Sequence, residues 1–242
     1  MRKNKIYIMF LILFVASKIY AADLGVGISA WYADWKMESK TLGTFNLEPA
    51  LFVGPTISYQ FEEKWSITLI ALATVNKYDQ DISANDSVKY RRYDVDCTLN
   101  YQISRYIKCF AGIKYLAFDF NSDNYNGINH GVGPGAGIGF SFPIVSSIYL
   151  LGIVSGIYGY GLEKTDNPPA GSPDNRNFYS FGINSSLQLA YYIQAIETTI
   201  SAGYRYQYIQ LHYLDYGTDE DSKYDNHFRG FTASVAKSLW RL

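Results

Sequence analysis

The chain has 242 residues, of which 48% are hydrophobic, 17% aromatic and 18% charged. So many aromatic side chains exclude a disordered protein, which has few such residues to bury. A mean hydropathy of −0.10 excludes a polytopic helical membrane protein, and two cysteines exclude a disulfide scaffold or a cysteine-rich metal site. A protein rich in β-strands remains.

The first residues predict a secretory signal. The basic start Arg2-Lys3-Asn4-Lys5 precedes an apolar stretch over 6–16, and small residues follow at Ala21-Ala22. That apolar stretch is too short to span a bilayer as a helix, which needs about 18 residues or more. We expect a signal peptide over 1–21 and one mature domain over 22–242.

The mature chain carries a moderate negative charge. Removal of the signal takes away four basic residues, which leaves 17 Lys and Arg against 22 Asp and Glu and a net charge of −5. Nucleic-acid binding proteins usually present a strongly basic surface. We therefore expect no nucleic-acid partner.

Alternation of apolar and polar residues predicts ten β-strands in the mature chain. They are expected at 24–37, 50–61, 66–78, 88–103, 107–120, 131–142, 148–163, 178–193, 198–213 and 228–241. Long polar connections are expected at 38–49, 79–87, 121–130, 164–177 and 214–227, with short connections between the other strands.

This rhythm of long strands and alternating connections is typical of outer-membrane barrels. The predicted fold is an all-β, antiparallel, up-and-down transmembrane β-barrel of about ten strands, with long extracellular loops and short periplasmic turns. An even number of strands, with both termini on the short-turn side, places both termini in the periplasm. A soluble β-sandwich would also show alternation, but its strands usually have only about five or six residues.

The strand at 88–103 shows the clearest separation of two faces. One face carries Tyr93, Val95, Cys97, Leu99, Tyr101 and Ile103, and the other carries Arg92, Asp94, Asp96, Thr98, Asn100 and Gln102. We expect the first face to contact lipid and the second to line the lumen.

Over its whole mature length the chain resembles the small outer-membrane β-barrel proteins of diderm bacteria. The signal, the strand rhythm, the Tyr-rich strand ends and the last residues Trp240-Arg241-Leu242 carry this resemblance, although Leu242 stands where that class often has Phe, and Lys237 where Gly is common. The resemblance implies a bacterial outer-membrane location, contact with lipid and lipopolysaccharide, and insertion by the barrel assembly machinery. It also implies a monomer.

Six charged residues are candidates for lining the lumen: Arg92, Asp94, Asp96, Lys108, Lys114 and Arg205. A hairpin at Ser104-Arg105-Tyr106 would place Asp96 opposite Lys114, where they would form an interior salt bridge. Charges within a membrane wall must be paired or hydrated. They therefore indicate either a lumen plugged by ion pairs or a hydrated conduction path.

A glycine at every second position from Gly131 to Gly139 should also face the lumen. Among these glycines, Gly133, Gly135 and Gly137 are candidate lumen-lining residues. They leave room for bulky side chains or let the wall bend. A phosphate-binding loop would need a strand-loop-helix context. The sequence offers none.

Acidic residues and histidines suggest two kinds of site. Asp94, Asp96, His212 and Asp215 could form an omptin-like protease site, but His212 should lie more than about 15 Å above the two aspartates along the barrel axis. His130, His212 and His227 could bind a divalent cation, although all three lie at strand ends where a solvated histidine is more common. We predict no catalytic, metal or cofactor site.

Cys97 and Cys109 share the lipid face, but the expected register places Cys97 opposite Ile113, so we predict free thiols.

The expected function is that of an outer-membrane barrel without catalysis, acting as a surface-exposed structural protein or binding an extracellular partner through its loops. A narrow porin-like channel for small solutes is the alternative.

Overall fold

A computed structural model describes residues 23–40, 43–83, 86–122, 126–166, 174–214 and 223–240. The predicted signal peptide lies outside this range. No helix among the described residues is long and apolar enough to cross a membrane.

The described residues form eleven β-strands and one 3-10 turn at Gln194–Ile196. The strands are β1 (Asp23–Ser39), β2 (Gly43–Gln60), β3 (Trp65–Thr74), β4 (Tyr78–Ser83), β5 (Asp86–Ser104), β6 (Ile107–Asn121), β7 (Asn126–Val145), β8 (Ile148–Asp166), β9 (Asn175–Ile193), β10 (Thr198–Tyr213) and β11 (Lys223–Trp240).

All neighbouring strands pair antiparallel, and β1 pairs with both β2 and β11. β3 and β4 pair in succession with β5, so together they act as one interrupted strand. Because β3 also pairs with β2, the sheet closes into a barrel of ten strand positions. The predicted fold class and the ten predicted strands are confirmed, with the third strand divided in two.

Several strands extend further at the long-loop end than the sequence indicates. β1 reaches Ser39 and β2 starts at Gly43, so most of the predicted connection at 38–49 is strand. The other four long connections are shortened in the same way, and the tips at 167–173 and 215–222 lie outside the described residues. The predicted strand boundaries at this end were wrong because apolar alternation marks only the part of a strand that contacts lipid. Backbone pairing continues beyond that part.

The interruption at Val75–Lys77 is bridged by a side chain. The Asn76 amide accepts a hydrogen bond from the Leu51 backbone N–H at 2.7 Å and donates one to the Pro49 carbonyl at 3.2 Å. Proline has no N–H and leaves a gap in a ladder. Asn76 satisfies backbone groups there, and the chain resumes with Tyr78 buried in the interior.

The two faces of the wall differ as predicted. Large apolar side chains at alternate positions face outward and are exposed, among them Ile28, Ile113, Val132, Ile138, Val154, Leu187, Leu189 and Phe231. On the opposite face, Trp31, Phe52 and Arg92 are completely buried. An apolar outer surface and a filled interior are the arrangement that a barrel in lipid requires.

Aromatic side chains from opposite sides of the barrel meet in the half of the lumen nearer the long loops. We call this layer the aromatic plug; it comprises Trp31, Trp35, Phe52, Tyr78, Phe118 and Phe228. Trp31 stacks on Phe52 and Trp35 on Phe228, each with ring centroids 5.2 Å apart. Phe118 of β6 reaches within 5.4 Å of Trp35 of β1, so the plug spans the lumen.

Candidate functional site

Below the aromatic plug lies a cluster of five charged residues, which we call the ion cluster. Asp94 is 1% exposed; its carboxylate accepts a hydrogen bond from Arg92 at 2.9 Å, bonds Lys114, and lies 3.7 Å from Arg205. Lys114 also bonds Asp96 at 2.7 Å. The predicted register of Asp96 opposite Lys114 is confirmed.

The sequence identified the members of the ion cluster but not its centre. The predicted salt bridge between Asp96 and Lys114 is only its outer part, because the Asp96 side chain is 29% exposed. Asp94 is the carboxylate that three cations share. Its central place depends on Arg205, which comes from β10 across the lumen.

Arg92 joins the ion cluster to the aromatic plug. Its guanidinium carbon lies 3.9 Å from the centroid of the Phe228 ring and 5.3 Å from that of Phe118. Its Nε and Nη1 have no hydrogen-bond partner among the described residues, so the ring faces provide their favourable contact. The Arg92 backbone N–H donates to Thr74 Oγ1 at 3.0 Å, at the end of β3.

On the short-turn side of the ion cluster the lumen opens into a cavity of about 290 Å³, which we call the chamber. Its charged lining residues are Asp96, Lys108, Lys114 and Arg205, and most of the others are Ser, Thr, Asn, Gln or Gly. Inward-facing residues near the short turns, such as Thr68 and Gln102, are partly exposed. The short-turn end of the lumen is therefore open to solvent.

The candidate glycines differ in what they do for the wall. A Cβ on Gly133 would lie 1.9 Å from the Tyr158 carbonyl oxygen, and one on Gly137 would lie 2.4 Å from that of Val154. Both positions therefore allow β7 and β8 to approach closely. Gly135 lines the chamber, where the nearest atom to an added Cβ is 3.3 Å away. Of these three glycines, Gly135 is therefore the one that leaves open space in the lumen.

We predict opposite outcomes for alanine at two of these glycines. Gly133→Ala should lower the free energy of unfolding by about 1–3 kcal/mol, because the new methyl group overlaps a backbone oxygen. Gly135→Ala should change it much less and serves as the matched control. Urea unfolding in lipid vesicles measures both, and equal effects would contradict the proposed difference in backbone approach.

Above the plug, a second cavity of about 230 Å³ opens at the long-loop end; we call it the outer vestibule. Glu163 forms a salt bridge with Arg176 and accepts a hydrogen bond from the Tyr213 hydroxyl. Asn129 donates to the same hydroxyl at 2.8 Å. The Tyr213 hydroxyl therefore donates to Glu163 and accepts from Asn129.

Sequence reasoning missed the outer vestibule. Glu163 lies at the predicted end of a strand and Arg176 in a predicted loop, so neither was assigned to the interior. The inward parity of Glu163 with Ile157 and Gly159 was the available signal. It could not reveal the partner, because Arg176 is reached only through the extension of β8 and β9.

Among the described residues, the acids and histidines weighed for catalysis or metal binding are not brought together. Asp94 and Asp96 are engaged in the ion cluster, and Asp215 lies outside the described residues. His212 bonds the Tyr179 hydroxyl, and His227 lies 2.9 Å from that of Tyr206.

The third histidine is also separate, since His130 lies beside the Tyr115 ring with centroids 6.5 Å apart. No group of three His, Cys, Asp or Glu residues suited to a metal ion occurs within the described ranges.

Cys97 and Cys109 are free thiols, and Cys97 lies opposite Ile113, so the prediction of unpaired cysteines is confirmed.

Comparison with known proteins gives the fold class. No protein-family model and no curated protein sequence matches the chain. The outer membrane protease OmpT from Escherichia coli superposes with a TM-score of 0.58 at 10% identity, covering 92% of this chain and 98% of OmpT. The translocator domain of the autotransporter NalP from Neisseria meningitidis gives 0.53 at 10% identity, covering 98% and 95%. The chain has the fold of the bacterial outer-membrane β-barrels.

Proposed function

We propose that this protein is a sealed outer-membrane barrel that presents its long-loop end at the cell surface, as a structural or interaction protein without catalysis. Both termini face the periplasm, and the outer wall contacts lipid and lipopolysaccharide. The barrel assembly machinery inserts the protein as a monomer.

The observation that carries this proposal is the closed lumen. Trp31, Phe52 and Phe228 are completely buried, and Arg92 is buried directly beneath them. Narrow barrels of about eight strands are filled by their own side chains, and those of sixteen or more leave an aqueous pore. With ten strand positions and an aromatic plug, this barrel belongs with the filled ones.

A role at the outer end is supported by the shape of that end. The outer vestibule combines aromatic walls with the neutralised pair of Glu163 and Arg176, and loops supported on a rigid scaffold commonly carry binding functions. We propose no catalysis because Asp94, one of the candidate acids, is shared among three cations and is not available as a general base.

Labelling in intact cells tests the orientation. Lys40 lies at the end of β1 on the long-loop side, and Lys64 lies on a short turn. With Cys97 and Cys109 replaced by alanine, Lys40→Cys should react with a membrane-impermeant maleimide, whereas the matched Lys64→Cys should react only after the outer membrane is permeabilised. Labelling of Lys64→Cys alone in intact cells would refute the proposed display.

A narrow porin-like channel for small solutes is the second candidate, favoured by the chamber, which opens the lumen from the short-turn end as far as the ion cluster. Single-channel recordings in planar bilayers separate the two proposals. A sealed barrel gives no current steps at moderate voltage. Steps from the unmodified protein would favour the channel.

A further inference from the structure

The charges of the ion cluster and the chamber do not balance. Four cations, Arg92, Lys108, Lys114 and Arg205, share this part of the interior with only two carboxylates, Asp94 and Asp96. Their formal sum is +2. An uncompensated charge is costly inside a low-dielectric wall unless water or a counter-ion accompanies it.

The geometry shows which cations are in excess. Asp94 and Asp96 are directly bonded by Arg92 and Lys114. Arg205 lies further away, 3.7 Å from Asp94, and donates its Nε–H to the neutral Asn184 at 2.8 Å. Arg205 therefore has no directly bonded carboxylate of its own, and Lys108 is the other cation in excess.

Lys108 has no hydrogen-bond or ion-pair partner among the described residues. It is half-buried, lines the chamber, and is the second residue after the short turn at Arg105-Tyr106. Arg205 lines the same chamber at its inner end, beside the Trp31 ring at 4.3 Å. Lys108 and Lys114 of the ion cluster are six positions apart on β6, roughly 20 Å along the strand.

We propose that the chamber binds a small anion that enters from the short-turn end, with Lys108 attracting it at the mouth and Arg205 holding it at the inner end. Clefts lined by one sign of charge within low-dielectric walls concentrate the field and raise the local concentration of counter-ions. The Ser186 hydroxyl and the Asn184 amide nitrogen line the same space and can complete its hydrogen bonds. The volume of about 290 Å³ accommodates chloride, phosphate or a small carboxylate with water.

Chloride-35 NMR of the folded full-length protein in nonionic detergent tests the proposal, with sodium chloride as the probe. The protein should add a saturable excess to the chloride linewidth, and inorganic phosphate should displace it. Arg205→Gln should weaken binding by about tenfold, because one full charge close to the anion is lost. Arg205→Lys, which keeps the charge, should largely retain binding.

Two further variants separate the chamber from general electrostatics. Lys108→Met should weaken binding by a smaller factor than Arg205→Gln. Lys64→Met removes the same charge from an exposed turn at the same end and should leave binding unchanged. The heat-dependent mobility of each variant in SDS gels verifies that it is folded. An excess linewidth that does not saturate, or that is the same in Arg205→Gln and Lys64→Met, would overturn the proposal.

Discussion

Replacing Asp94 with asparagine should destabilise the barrel severely, by about 3–5 kcal/mol in the free energy of unfolding, because it leaves buried cations without their shared carboxylate. Arg92, Lys114 and Arg205 all lie within 4 Å of this group. Water cannot compensate, since Asp94 is 1% exposed. Urea unfolding in lipid vesicles, followed by tryptophan fluorescence, measures the change.

Asp96→Asn is the matched control for this prediction. It removes the same charge two residues away on the same strand, but the Asp96 side chain is 29% exposed and has Lys114 as its one bonded partner in the described part of the chain. Its effect should be about 1 kcal/mol or less, as for partly solvated pairs. A double-mutant cycle with Arg92→Met should show strong coupling to Asp94. Equal effects of Asp94→Asn and Asp96→Asn would contradict the central role of Asp94.

The second large effect concerns conduction. Combining Trp31→Ala with Phe228→Ala should connect the chamber to the outer vestibule and produce current steps in planar bilayers that the unmodified protein lacks. The open path should favour anions, because Arg92 and Arg205 would line it. Each substitution should also cost about 3–5 kcal/mol of stability, so Phe228→Ala alone provides a milder variant.

The control for plug removal lies on the same two strands. Tyr32 and Phe231 face outward and are 51% and 73% exposed, so Tyr32→Ala combined with Phe231→Ala removes similar aromatic volume from the lipid face. This protein should remain sealed. Current steps from the outward pair, or none from the inward pair after folding is verified, would show that the plug is not the barrier.

The ion cluster and the aromatic plug together explain why a polar lumen can still be closed. Arg92 is attracted on one side by Asp94 and on the other by the Phe228 ring, so a charged side chain forms the boundary between the hydrated chamber and the aromatic layer. Neither layer could occupy this position alone. Aromatic rings without Arg92 would face water, and Arg92 without the rings would lack its second contact.

The sequence by itself determined the wall of this protein. Alternation along residues such as Arg92 to Gln102 identified which side chains face lipid, because the period of a strand is two and lipid tolerates only apolar groups. The same parity, with the short turn at Ser104 to Tyr106, placed Asp96 opposite Lys114. These are local relations between residues on one strand or one hairpin.

The tertiary structure alone decided what fills the barrel. Parity assigns Trp31, Phe118 and Arg205 to the interior, but their meeting depends on the closure of the sheet and on the relative height of strands far apart in sequence. Asp94 became central only because β10 brings Arg205 across the lumen, and Arg176 reached Glu163 only because paired backbone continues beyond the lipid-facing segment. Contacts across a lumen leave no periodic trace in the sequence, since each strand contributes only one side chain at a given height.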